Sequence, residues 1–237
     1  MNAANMKPIF LGITLLLSLF YSCEKDQEEQ QTITVLSDFS DGEDGWEAGF
    51  SEYSGDNAEI YELEAGLAML PPPLDESKAA YRISGMNRSD DLFMYLTKRV
   101  EGLKPETRYR AEFALQIGSD APSGAVGAGG APGESVGIGI GLTTDRPVSV
   151  PDQNNFYRMN IDKIQQCCTD GEDMVVIGNV ANGTEEATYT LIERSGEFSA
   201  MTDQQGVLWL IVGTDSGFEG KTTLYYAEIK VLLEEII

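Results

Sequence analysis

The chain carries 39 acidic residues, 16 basic residues and no histidine. That inventory decides which chemistry is open to it. Ser-His-Asp and Cys-His nucleophile systems cannot be built, and neither can histidine-held zinc, copper or iron centres. Carboxylates alone can still hydrolyse glycosidic bonds when two of them face each other about 5 to 9 Å apart across a cleft. Asp215 and Glu219 are the candidate pair for such a hydrolase, a competing reading to a non-catalytic one. Carboxylates and loop carbonyls can also hold calcium. Asp38, Asp41 and Asp44 recur three apart around a turn before Trp46. This is not the EF-hand spacing, so the cluster serves either as a set of solvated turn carboxylates or as part of a calcium shell of another kind.

Three cysteines remain for covalent chemistry. Cys167 and Cys168 are adjacent and either close a strained vicinal disulfide or stand as free thiols. Cys23 ends an apolar run, Ile9 to Tyr21, which follows Met6-Lys7-Pro8 and precedes the small residue Ser22. A charged start, an apolar middle and a small residue at the cut make a secretory signal. The run is too short to cross a bilayer, which takes about 20 apolar residues. Phe20-Tyr21-Ser22-Cys23 resembles the lipobox of bacterial lipoproteins. The resemblance implies cleavage after residue 22 and acylation of Cys23, placing the protein at the bacterial outer membrane, on its periplasmic face or at the cell surface. Glu24 to Gln31 has no apolar residue and reads as a solvated tether. In Bacteroidota lipoproteins, such an acidic stretch resembles a signal for export to the outer face, and a plain linker is the other reading.

These assignments divide the chain into a signal peptide at 1–22, a lipidated cysteine and tether at 23–31, and one domain at 32–237. A domain of that size buries about 70% of its unfolded surface. The net charge of −23 excludes nucleic acid as a partner, because phosphates would be repelled. The partners left are the lipid bilayer through Cys23, a glycan, or another envelope protein. No cofactor is called for beyond structural calcium.

The elements that must position these residues are strands. Tyr109, Ala111, Phe113, Leu115 and Ile117 alternate with mostly polar neighbours, which is a half-buried strand. Near the C-terminus, Tyr225, Ala227, Ile229, Val231 and Leu233 alternate with Tyr226, Glu228 and Lys230. Further strands are expected at 32–39, 58–63, 80–84, 92–100, 136–142, 156–161, 174–180, 188–193 and 206–212, separated by Gly, Pro, Asn and Asp clusters. No segment shows a helical stripe over three turns. The pattern predicts an all-β, antiparallel sandwich of jelly-roll type.

Several segments invite a functional reading. Val136 to Leu142 puts Val, Ile, Ile and Leu on one side and only glycine on the other. The bare side is either the floor of a groove or the seat of large side chains from elsewhere. Gly118 to Ser135 is rich in Gly, Ala, Ser and Pro and reads as a long flexible loop. It is no dinucleotide fingerprint, since a strand follows it. Gly213 to Thr222 fails as a phosphate loop because Asp215 stands where glycine is needed. Arg88 with Asp90 or Asp91, and Asn160-Ile161-Asp162-Lys163, are polar insertions at strand ends. Each reads first as a turn and second as the lining of a site.

Asp38-Phe39 through Gly45-Trp46, with a closing strand Leu224 to Ile229, resembles the ends of galactose-binding-like jelly rolls, a form common among carbohydrate-binding modules. The resemblance implies that the first and last strands lie together. It also implies that Glu228 joins Asp38, Asp41 and Asp44 around a structural calcium. Asn87 to Met94 and Gly213 to Gly220 look like segments of a group of bacterial secreted proteins with no assigned activity. The function expected is that of a non-catalytic, ligand-binding envelope lipoprotein, with a glycan as ligand. The alternatives are an accessory subunit of an outer-membrane complex and a carboxylate-dependent glycoside hydrolase. Sugar faces stack on exposed aromatics, and Trp46, Tyr53, Phe218 and Tyr226 are the candidates. Each also suits core or edge packing.

Overall fold

The computed structural model of the protein describes residues 30–166 and 169–236. Cys23, the signal segment, Cys167 and Cys168 lie outside the described residues. The first sheet contains β1 (Thr32–Ser37), β4 (Glu64–Met69), β5 (Ala79–Met86), β7 (Arg108–Ser119), β12 (Thr190–Met201) and β14 (Lys221–Glu235). Its order is β12-β7-β14-β5-β4, with β1 beside the second half of β14. The second sheet runs β11-β8-β13-β6-β2. Its strands are β2 (Trp46–Ser51), β6 (Leu92–Val100), β8 (Val136–Thr143), β11 (Met174–Asn179) and β13 (Leu208–Ser216). A small third sheet joins β3 (Tyr53–Ser54), β10 (Phe156–Met159) and β9 (Ser149–Pro151). All pairings are antiparallel, and β5 to β8 and β12 to β14 switch sheets strand by strand, which is jelly-roll connectivity.

Alternation builds the core. The odd residues of β7 from Tyr109 to Ile117 are buried, and they meet Val136, Ile138, Ile140 and Leu142 from β8 across the sandwich. First and last strands do lie together, from Thr32 opposite Glu234 to Ser37 opposite Ile229. The alternation of β14 does not run straight through. A β-bulge sits between Tyr226 and Glu228, with Ala227 as the extra residue. A bulge places two residues opposite one and shifts the facing pattern by one. Leu224 and Tyr226 therefore face the core before it, and Ile229, Val231 and Leu233 after it.

Two expected elements differ. Residues 55–61 form a 3-10 helix, Gly55–Tyr61, in place of the strand expected at 58–63. Gly55-Asp56-Asn57 opens a turn, and the left-handed Glu62 (φ 47°) closes it before β4. The loop 118–135 is packed rather than loose. Gly217 donates to Ser135 O at 2.9 Å, and Glu219 donates to Ala128 O at 2.9 Å. Gly129 is in the left-handed region (φ 69°), and a Cβ there would meet Gly217 O at 2.2 Å, so only glycine fits this approach.

The molecule has a third layer. The chain over 145–166 and 169–173 folds over the outer face of the second sheet and closes a smaller core of Phe93, Tyr95, Ile164, Met174 and Ile211. The glycine side of β8 is its floor. A Cβ on Gly139 would lie 2.8 Å from Ile164 Cδ1, and one on Gly141 would lie 2.1 Å from Asp173 O. That side is therefore a packing seat and not an open groove. The tether also ends sooner than composition suggests. Gln31 donates from its N–H to Glu235 at 3.0 Å and from its amide to Gly102 O at 2.8 Å, and its amide oxygen accepts from Tyr109.

Candidate functional site

The outer face of the first sheet is open along β7 and β14. The bulge at Ala227 brings Glu228 level with Gln116 of β7. A cleft of about 420 Å³ forms there, walled by Asp38 and Ser40 from the β1–β2 turn and by Ser77 and Lys78 from the β4–β5 loop. Its apolar surface comes from Leu70, Met69 and Leu191. Leu70 is buried over Gly118, while Met69 and Leu191 remain 51% and 41% exposed. Asp38 accepts from the Ser40 hydroxyl at 2.7 Å and its N–H at 3.1 Å, and these bonds hold its carboxyl below the usual range. It is therefore ionised at neutral pH.

A second cleft of about 420 Å³ continues on the same strands, among Glu112, Ser195, Glu197, Lys230 and Leu232. Gln116 to Glu112 spans four residues of strand, roughly 14 Å at about 3.4 Å per residue. The face thus offers a track with acceptors (Asp38, Glu228, Glu112, Glu197), cations (Lys78, Lys230), an amide (Gln116) and apolar patches between them. Neutral molecules rich in hydroxyls use all four kinds of contact.

A different chemistry is concentrated under the third layer. Asp215 of β13 is fully buried, and Lys163 is 4% exposed. The Lys163 ammonium donates to Asp215 Oδ2 and, at 3.2 Å, to Ile164 O; Asp91 Oδ1 stands 3.5 Å away. It also lies 5.2 Å from the Phe93 ring centroid. Glu52 closes the cluster and is held by Arg158 at 3.1 Å. Burial pushes the Glu52 carboxyl up from its ordinary value, although the Lys163 charge opposes that. Asp215 is pushed up to about 8, first by burial and then, against the pull of Lys163, by the charge and hydrogen bond of Asp91.

The expected site residues are scattered. Trp46 is 1% exposed and Tyr226 0%, so both are core residues and neither can stack on a ligand. Tyr53 stacks on Tyr157 at 4.7 Å, and Phe218 fills the space between Gly127 and Gly220. Their rings are engaged within the fold. The four carboxylates expected around calcium do not gather. Asp38 and Glu228 line one cleft, but Asp44 is turned to Ser37 and to the Lys98 ammonium at 3.0 Å. Asp38, Asp41 and Asp44 line a small surface pocket at the β1–β2 turn, and of the three only Asp38 also reaches the cleft of Glu228. Among the described residues no three acidic or cysteine side chains are placed to hold a metal ion. Asp215 cannot serve with Glu219 as a hydrolytic pair, because it has no exposed surface and is already engaged by Lys163.

Sequence reasoning did not select Gln116, Lys78, Glu52 or the Lys163–Asp215 contact. It did mark the segments holding Asp91 and Lys163, since polar residues abutting apolar strands are a signal. Their pairing is tertiary and leaves no local trace.

The sequence matches no family model and no curated protein. Some solved structures are similar to the chain at a distance. The CBM22-1 xylan-binding domain of Paenibacillus barcinonensis Xyn10C is 11% identical over 86% of this chain and 95% of its own, with a TM-score of 0.42. The K1 cleaved adhesin domain of Lys-gingipain from Porphyromonas gingivalis W83 is 9% identical over 84% and 97%, with a TM-score of 0.38. The enzymatically active domain of bacteriophage CBA120 tailspike protein 4 is 8% identical over 78% of this chain, with a TM-score of 0.35. The chain spans 19% of that tailspike structure.

Proposed function

We propose that this is a non-catalytic glycan-binding sandwich, held at the bacterial outer membrane through acylated Cys23. The ligand lies along β7 and β14 on the outer face of the first sheet. The observation that carries the reading is the cleft in which Asp38, Lys78, Gln116 and Glu228 surround exposed apolar side chains, with a second cleft further along the same strands. Acceptors, a cation and an amide over apolar patches suit the hydroxyls and C–H faces of a neutral sugar chain. An anionic polysaccharide would meet the net charge of −23 and is disfavoured.

The test is titration calorimetry against a panel of neutral polysaccharides, with Gln116→Ala and Lys78→Ala as site variants. Each variant removes one or two hydrogen bonds, worth about 0.5–1.5 kcal/mol apiece. Binding that weakens several-fold in each supports the site. Absence of binding to every glycan overturns the reading. Co-purification with a membrane protein from detergent extracts would then replace it with that of an accessory subunit.

A further inference from the structure

We propose that Lys163 and Asp215 join through an intramolecular amide bond, formed by the protein itself with Asp91 as the catalytic acid–base. The two side chains are 52 positions apart in sequence and in direct contact in the fold. Four observations point to this chemistry rather than to an ordinary ion pair.

The first is enclosure. Asp215, Phe93 and Ile164 are fully buried, and Lys163 is 4% exposed. A charged pair taken out of water loses hydration that its mutual attraction only partly returns. The second is incomplete satisfaction. Asp215 Oδ1 and Asp91 Oδ1 are both enclosed and neither accepts a hydrogen bond among the described residues, the Lys163 ammonium reaching Asp91 Oδ1 only as an ion pair at 3.5 Å. A proton shared between the Asp91 and Asp215 carboxyls would satisfy both, and the two are hydrogen-bonding neighbours. The third is the protonation that this environment favours, since the Asp215 carboxyl is pushed up to about 8, first by burial. The neutral acid, unlike the carboxylate, accepts attack by an amine. The fourth is approach. The Lys163 nitrogen donates to Asp215 Oδ2, an oxygen bonded to Cγ, so the amine and the acid carbon are already held side by side.

The step balances without a co-reactant. Proton transfer within the pair gives the neutral Lys163 amine and the neutral Asp215 acid. The nitrogen lone pair attacks Asp215 Cγ and forms the N–C bond. Asp91 takes a proton from nitrogen and gives one to the departing oxygen. The C–O bond breaks with its electron pair on that oxygen, and one water leaves. Enclosure favours the step, since a buried amine and acid exchange two charges for a neutral amide. The new bond fastens the third layer to β13.

The experiment is peptide mapping of the full chain after reduction, unfolding and proteolysis. The expected product is a branched peptide joining the segment with Lys163 to the segment with Asp215, lighter than the two by one water. Recovery of both linear peptides at their unmodified masses, with no branched species, overturns the proposal without any variant. Lys163→Arg keeps the cation but should eliminate the branched peptide. Asp91→Asn should slow its appearance by about 100-fold or more, the range of general acid–base assistance. A branch that persists in Lys163→Arg, or forms at the wild-type rate in Asp91→Asn, contradicts the assigned residues.

Discussion

The indole N–H of Trp46 donates to Ser37 Oγ at 2.9 Å, inside the core. Ser37 in turn donates to Asp44, whose carboxylate is also held by Lys98. This relay connects the end of β1 to the start of β2. In Ser37→Ala the indole donor is left buried without an acceptor, which costs about 1–3 kcal/mol. A fall of several degrees in melting temperature is expected. Burial raises the Asp44 carboxyl, but Ser37 and Lys98 outweigh it and leave the group below 3.8. A depressed carboxyl adds stability above its unfolded value, and that stability is lost as pH falls through the lower folded value. The acid limb of the wild-type stability curve should therefore be steeper below pH 3.8 than that of Ser37→Ala, and parallel limbs would contradict the relay.

The bulge at Ala227 supplies the second prediction. Removing Ala227 leaves Tyr226 and Ile229 facing inward on an uninterrupted ladder, so the fold should survive with its strand signature in circular dichroism and a cooperative melt. The bend that aims Glu228 into the cleft would be lost. Glycan affinity should fall about tenfold or more, or roughly 1.4 kcal/mol. Unchanged affinity would place the ligand elsewhere.

That bulge also marks where sequence reading stops. Period two made β7 and β8 legible, because Tyr109 to Ile117 and Val136 to Leu142 each keep one face uniformly apolar. In β14 the adjacent residues Tyr225, Tyr226 and Ala227 are all compatible with either face, so the extra residue could not be located. Ala58 to Leu63 is a short run of mixed character, which periodicity cannot divide between strand and helix. Trp46 and Tyr226 show the same limit for the site. Their residue type suits a sugar platform and a core equally, and only tertiary enclosure decides. The Asp38–Glu228 proximity was legible from the pairing of first and last strands. The Lys163–Asp215 contact was not, since it depends on a layer folded back over the sheet.

Asp120 gives a prediction of opposite sign to Asp44. Burial raises its carboxyl from the ordinary value of 3.8. A raised acid holds its proton more tightly in the folded state, so its ionisation opposes folding once pH exceeds the unfolded value. Asp120→Asn should match the wild type near pH 3 and melt higher than it at pH 7. Equal melting at both pH values would show that water reaches the carboxylate.

Anchoring is tested at Cys23. Replacement by Ala should abolish incorporation of radioactive palmitate and move the protein from the membrane fraction to the soluble one. Three acyl chains exceed the two signals that stable attachment needs, so the shift should be complete. A variant that stays labelled and sediments with membranes would refute lipidation at this residue.

The third layer rests on the fit of Ile164 over Gly139, which a double-mutant cycle can measure. In Gly139→Ala the new methyl meets Ile164 Cδ1 and Cγ2 at 2.8 Å. Overpacking of this kind costs about 1–3 kcal/mol. Ile164→Ala alone empties a fully buried site and should cost about 2–5 kcal/mol. When the two substitutions are combined, the methyl added by Gly139→Ala occupies part of the space that Ile164 vacates. The double variant should therefore be more stable than the sum of the two losses by about 0.5–3 kcal/mol, the coupling seen for residues in contact. Strict additivity would mean that Ile164 does not sit over β8, and the packing seat assigned to the glycine face would have to be abandoned.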